Sequence, residues 1–311
     1  MIHISEEQVR EHLTMDKALE VVEESFRRLA SGAAKNHPRR RIVLENRSTL
    51  HAMDAGDNTS GLFAAKLYAT NPKIGARFLV ALFDANAIDL LALIDANALG
   101  QIRTGAASGV ATNFLAREDA STCAVIGSGY QAETQLEAVA AVRKLDEVRV
   151  FSRKAERRES FAERMSARLG INVRAVDSSE AAVREAAIVV TITNAKEPVV
   201  LGEWLAPGCH INAAGSNHVK RAEIDAEAVK RCALITADSV EEAQIECGDL
   251  VQPANEGLLD WADVHEFADV VGGAVKGRQS PQDITLFESQ GLAIEDLAAA
   301  EHVYKAVSGQ G

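Results

Sequence analysis

Residues 121–153 read STCAVIGSGYQAETQLEAVAAVRKLDEVRVFSR: an apolar strand, a Gly-x-Gly-x-x-Ala turn, an amphipathic helix and a second strand. A βαβ unit of this kind holds the pyrophosphate of a dinucleotide against the first turn of a helix, where unpaired N–H groups and the helix dipole favour negative charge. The three small residues have separable jobs. Gly127 permits the tight turn, Gly129 lets backbone approach the phosphates, and Ala132 lets helix and strand pack closely. Glycine turns are common, so the weight rests on context: Ala124-Val125-Ile126 precedes the turn, and Gln135, Val139 and Val142 follow at helical spacing. The stretch predicts a site for NAD or NADP.

The choice between the two coenzymes is written at the end of the second strand, Glu147 to Phe151. An Asp or Glu there would bind both ribose hydroxyls of NAD. This chain has Ser152-Arg153-Lys154 instead, and a hydroxyl with two cations suits a 2′-phosphate. NADP is therefore favoured, with NAD possible. The plainer alternative is that Arg153 and Lys154 simply begin a solvated helix.

Composition bounds the class. The 311 residues suggest about two domains, and 47% hydrophobic residues suffice for real cores. A net charge of −12 argues against nucleic acid and offers no polybasic membrane signal. No apolar run is long enough to span a bilayer, and the opening MIHISEEQVREHL lacks a basic region followed by an apolar core, so a cytoplasmic location is expected. Cys123, Cys209, Cys232 and Cys247 are scattered without metal-ligand spacing; they read as reduced, mostly buried small hydrophobes, with no metal site.

Ahead of the nucleotide motif, residues 14–31 read as a helix capped by Thr14, with Ala18, Val22, Phe26 and Leu29 forming one stripe. Extended segments follow near 41–46, 48–53 and 61–70, and then FLVALFD and IDLLALID flank the turn Asp84-Ala85-Asn86. Successive hairpins predict an antiparallel or mixed sheet, one face of which needs cover from helices or from a second subunit. A helix from Thr104 to Leu115 leads into the nucleotide domain. Beyond it, strands near 172–176, 186–193, 210–215 and 233–237 alternate with helical patterns, which predicts a parallel, doubly wound sheet. From about 283 the chain reads as a turn and a long helix, too late for that sheet. The fold expected is α/β: a Rossmann-type domain over 118–283 and a β-rich substrate-binding and dimerisation domain over 1–117, joined by 284–311.

Four blocks carry a resemblance: Arg103-Thr104-Gly105-Ala106-Ala107-Ser108, Gly127-Ser128-Gly129-Tyr130-Gln131-Ala132, Pro207 to Gly215, and Thr285-Leu286-Phe287-Glu288-Ser289-Gln290-Gly291. Together, and in this order, they resemble the ornithine cyclodeaminase/mu-crystallin family over almost the whole chain. The resemblance implies a homodimer of two-domain subunits that interconverts amino acids and imines with a nicotinamide coenzyme. The cations it points to for the substrate carboxylate are Arg40, Lys66 and Arg103, and a planar guanidinium suits that task. Arg40 sits in a run of three arginines, which by itself reads as a solvated face. Lys66 lies in a strand that buries alternate residues, where an unpaired ammonium would be costly, and a desolvated amine can move the proton that accompanies hydride transfer.

The same resemblance implies coenzyme contacts from Arg103, Thr104, Tyr130, Gln131, Thr191, Thr193, Asn194, Ala214, Gly215, Ser216, Ser289 and Gly291, beside the glycine turn and Ser152, Arg153 and Lys154. The informative departure is Asn217. Cyclodeaminases carry an aspartate at the matching position, and an amide can orient a substrate but has no useful acid or base pKa. The expected activity is therefore NAD(P)H-dependent reduction of an α-imino acid or cyclic ketimine to an L-amino acid, with Lys66 and Asn217 at the reacting centre. The alternatives are an NAD-dependent ornithine or lysine cyclodeaminase and a non-enzymatic, NADPH-holding crystallin-like protein.

Overall fold

The structure is a computed structural model and describes residues 1–309. In chain order the first elements are β1 (Ile2–Ile4), α1 (Glu6–His12), α2 (Met15–Ala30), β2 (Ala34–Asn36), β3 (Arg40–Val43), β4 (Thr49–Asp57), β5 (Leu62–Asn71), β6 (Gly75–Asp84), β7 (Leu90–Asp95) and α3 (Asn97–Leu115). Then come β8 (Thr122–Ile126), α4 (Tyr130–Val142), β9 (Glu147–Phe151), α5 (Ala155–Leu169), β10 (Val173–Ala175), α6 (Ser179–Val183), β11 (Ile188–Thr191) and β12 (His210–Ala213). The last are α7 (Ala226–Arg231), β13 (Cys232–Ala237), α8 (Val240–Glu246), α9 (Gly248–Asn255), β14 (Val264–Glu266), α10 (Phe267–Val271), β15 (Ile284–Glu288) and α11 (Ala293–Ser308). Two compact units divide the chain: Met1–Arg103 with the segment from Gly291 onward, and Thr104–Gln290.

The first unit is built on a mixed sheet ordered β1-β7-β6-β5-β4-β2, with β3 also pairing β4. Only β1 runs parallel to its neighbour; the rest are antiparallel, as consecutive hairpins require. Helix α1 starts with a capping box, Ser5 with Gln8, and α2 with the Thr14 hydroxyl accepting from Lys17 N. The Ala18, Val22 and Phe26 stripe is fully buried. In β5, Leu62, Ala64 and Lys66 are buried while Phe63 and Leu67 are exposed, so strand alternation sets one face against α11 and leaves the other open.

The second unit holds an all-parallel sheet ordered β10-β9-β8-β11-β12-β15-β13-β14. Strand order reverses at β8, which pairs β9 on one side and β11 on the other, and this is the point at which such sheets bind ligands. Separate apolar clusters cover its two faces, one around Leu136, Val139 and Phe161, the other around Ile211, Ile224 and Leu250.

Two expectations are corrected. Residues 284–288 form no turn: β15 lies between β12 and β13 with all five residues buried. The chain skips a place in the sheet when it passes from β12 to β13 and fills it last, so order along the sequence misleads. The second unit accordingly runs to Gln290 rather than 283. Helix α3 begins at Asn97 rather than Thr104, because the Glu6 carboxylate accepts the Asn97 and Ala98 N–H groups, each at 2.7 Å. A cap so remote in sequence leaves no local signature.

Three of the four free cysteines are buried, and burial pushes the Cys123 and Cys209 thiols up to about 12. Among the described residues no helix is long and apolar enough to cross a membrane.

Candidate active site

In the first unit, β5 carries Lys66 inward and the first turn of α11 carries Glu295 and Asp296. Lys66 Nζ donates to Asp296 Oδ1 at 2.7 Å. Arg103 Nε donates to the same oxygen at 3.0 Å, and its Nη1 to Glu295 Oε2 at 2.7 Å. All four side chains are buried. Burial opposes the charge on Arg103, but Asp296 and Glu295 outweigh it and hold the guanidinium charged. Burial lowers the Lys66 ammonium to about 8, with Arg103 repelling it further against the pull of Asp296.

Arg39 completes the group. It is buried, its Nε donates to Met53 Sδ at 3.4 Å and its Nη2 to the Gly291 carbonyl at 3.0 Å. Three cations, Arg39, Lys66 and Arg103, thus share buried ground with two carboxylates, Glu295 and Asp296. Charges held this far from water need close partners of the opposite sign.

Arg40 does not join them. Its side chain is 73% exposed and pairs with Asp54 at 2.7 Å. The register explains the one-residue shift: Arg40 lies opposite Ala52, whereas Met53 lies opposite Lys66, so Arg39 falls on the Lys66 side of the sheet and Arg40 on the other. Beside Lys66, whose Nζ is 5.9 and 5.8 Å from the ring centroids of Tyr68 and Phe78, stands a stack of His51, Tyr68 and Phe78. Burial, with Arg41 and Arg39 nearby, lowers His51 to about 4, so this wall is uncharged near neutrality.

In the second unit, Gly127 adopts φ +122°, and a Cβ there would lie 2.4 Å from the Ile192 carbonyl oxygen. Only glycine fits. Gly129 is the N-cap of α4, with no side-chain cap, and a Cβ built on it meets nothing within 4 Å. An uncapped helix start beside open space is what a pyrophosphate needs, so these residues fit the coenzyme that the turn predicts. Ala132 is fully buried, Tyr130 is exposed, and Gln131 lies in the same first turn. Thr104 O accepts from Gln135 Nε2 at 3.1 Å, fixing α3 against α4.

Past β9, Ser152 Oγ shares a hydrogen bond with Ser128 Oγ at 2.7 Å, and Arg153 and Lys154 are exposed. Arg158, absent from the sequence reading, donates to Ser152 O at 3.2 Å and lies 5.7 Å above the Phe151 ring. Thr191 ends β11, Thr193 and Asn194 follow it, and Ala214, Gly215 and Ser216 follow β12, where the Ala214 N–H donates to Thr191 O at 2.9 Å. Ser289 is buried just after β15, and Gly291 begins the return to the first unit. Asn217 and His218 are exposed in the loop after β12; His218 Nδ1 accepts from Lys220 N, which fits an ordinary loop histidine.

The fold and the glycine turn define a two-unit α/β protein with a Rossmann-type sheet. The chain belongs to the ornithine cyclodeaminase/mu-crystallin family, whose profile matches residues 2–311. It is 38% identical over 249 residues to a Delta(1)-pyrroline-2-carboxylate reductase of Bacillus cereus, covering 79% of this chain and 76% of that one. Among solved structures, the Thermococcus litoralis Delta(1)-pyrroline-2-carboxylate reductase in complex with NADH and L-proline matches with a TM-score of 0.96 at 35% identity, over 100% of this chain and 98% of the other. An archaeal alanine dehydrogenase dimer with bound NAD matches at 0.93 and 33%, over 99% and 97%.

Proposed function

We propose that this protein reduces the C=N bond of an α-imino acid, a cyclic ketimine above all, to an L-amino acid, using NADPH in preference to NADH. The observation that carries the reading is the buried cluster in which Asp296 and Glu295 fix Lys66 and Arg103, with Arg39 buried beside them. A substrate carboxylate suits the Arg39 and Arg103 guanidinium groups, which supply planar donors. The coenzyme would be held by the Gly127 to Ala132 turn, with Ser152, Arg153 and Lys154 toward a 2′-phosphate, and it supplies a hydride when bound.

This chain's own residues supply the rest. Arg39 and Arg103 orient the acid. Lys66 Nζ, held by Asp296, gives its proton to the nitrogen as the carbon gains the hydride, so C=N becomes CH–NH. The flat, uncharged stack of His51, Tyr68 and Phe78 suits a ring and carries no carboxylate for the side-chain ammonium of ornithine. With Asn217 replacing an acid, this weighs against cyclodeamination.

The test is turnover and binding on the purified chain. Reduced coenzyme is expected to be oxidised with pyrroline-2-carboxylate or piperideine-2-carboxylate, NADPH binding more tightly than NADH. Ammonia release from ornithine with NAD, and no imine reduction, would reverse the assignment. Because Lys66 must be protonated to reduce and neutral to oxidise, the reductive rate is expected to fall above about pH 8 and the reverse rate to rise through it. A reductive profile flat from pH 7 to 9.5 would remove Lys66 as the proton donor.

The same reading makes the chain a homodimer. Ile42, Val43, Leu50, Phe63 and Leu67 are exposed on the first unit's strands, an apolar surface that a second copy would cover. Sedimentation is expected to give twice the mass of one chain, and Phe63→Glu with Leu67→Glu to shift it toward one; a monomeric native protein would contradict the assignment.

A further inference from the structure

Glu223 stands just before the buried Ile224 and is itself fully buried. Its two carboxylate oxygens reach two different strand ends. Oε1 accepts from Thr193 N at 2.5 Å, beyond β11; Oε2 accepts from Thr191 Oγ1 at 2.9 Å, in β11, and from Gly215 N at 2.7 Å, beyond β12. The approach is tight enough that a Cβ on Gly215 would lie 2.6 Å from Oε2. Glu223 is itself pinned, since Asp249 Oδ1 accepts the N–H groups of Glu223 and Ile224 at 2.6 and 3.0 Å.

We infer that Glu223 is a positioning residue for the coenzyme, one carboxylate that fixes the loops after β11 and β12 relative to each other. The inference rests on the proposed function and on the coenzyme contacts that the family resemblance implies for these loops.

The chemistry of the cluster favours this role. Asp249 and Glu288 lie close by, and burial pushes both carboxyls upward, Asp249 to about 7. Burial raises the Glu223 carboxyl too, but three donors across its two oxygens pull against that and favour its charged form. A carboxylate can accept all three bonds. An amide has only one acceptor oxygen, so Glu223→Gln must turn an N–H₂ toward a donor on one loop while keeping its size.

The experiment is a fluorescence titration with NADPH. Wild-type chain binds; Glu223→Gln is expected to raise the NADPH Kd about tenfold, the size of one buried hydrogen bond lost, with kcat and imine KM at saturating NADPH held within about twofold. Thr191→Val removes a single hydroxyl and is expected to raise Kd by about threefold, and adding it to Glu223→Gln to cost less than the product of the two. A purely structural role would lower Tm and the active fraction while leaving Kd unchanged, and that result overturns the inference. If Glu223→Gln does not fold, Glu223→Asp, which keeps the charge but is too short to hold both loops, decides alone: unchanged Kd refutes, raised Kd with an unchanged melt supports. Absence of binding of NADPH and NADH to the wild type would instead refute the proposed function.

Discussion

Replacing Lys66 by Met is expected to slow imine reduction by about 10²- to 10⁴-fold, the range that a positioned acid contributes, while NADPH still binds. Methionine keeps the length and apolar stem but carries no proton to give. The fold should survive the change, because Asp296 retains its 3.0 Å bond from Arg103 Nε and is not left alone in the core. Removing a desolvated ammonium also removes a cost, since burial holds Lys66 near 8 in the folded chain. The measurements are single-turnover oxidation of NADPH with pyrroline-2-carboxylate, coenzyme titration and a thermal melt. Reduction within fivefold of wild type would take Lys66 out of the mechanism; a lost melt would make the activity uninformative, and Lys66→Arg, which keeps a charge that does not titrate, would then serve.

Arg39→Ala should cost about 2–5 kcal/mol of transition-state binding, or about 30- to 5,000-fold in kcat/KM for the imino acid, as truncation of one partner in a buried charged pair does. Arg40→Ala should change it by less than about twofold, since an exposed ion pair such as Arg40 with Asp54 contributes little. The two substitutions are neighbours in sequence and identical in chemistry, so the contrast isolates burial and direction. A larger loss at Arg40 than at Arg39 would show that the substrate is held on the open face of the sheet, and the proposed arrangement of the acid would fall.

That contrast also marks how far the sequence can be read. The βαβ unit was legible because its periodicity and its glycine spacing are local: Gly127 must turn and Gly129 must leave room, and both do. Lys66 was legible because alternation in β5 buries it among apolar neighbours. Arg39 was not, because three consecutive arginines provide no phase, and the strand register that supplies one is set by pairing with β4. Glu295 and Asp296 look like ordinary acidic residues in the first turn of a helix until the tertiary fold brings Lys66 and Arg103 to them. Glu223 and β15 were missed for the same reason, as each acts on residues far away in sequence.

The return of the chain to its first unit has a consequence for synthesis. Helix α11, which covers the first sheet and carries both carboxylates, is made after every strand of both sheets, long after the strands it covers. On the ribosome, residues 104–290 can therefore collapse into a finished parallel sheet while the amino-terminal hairpins wait, one face bare and Lys66 without its counter-ion. A nascent chain stopped a few residues short of α11 would present an aggregation-prone sheet to the quality-control machinery.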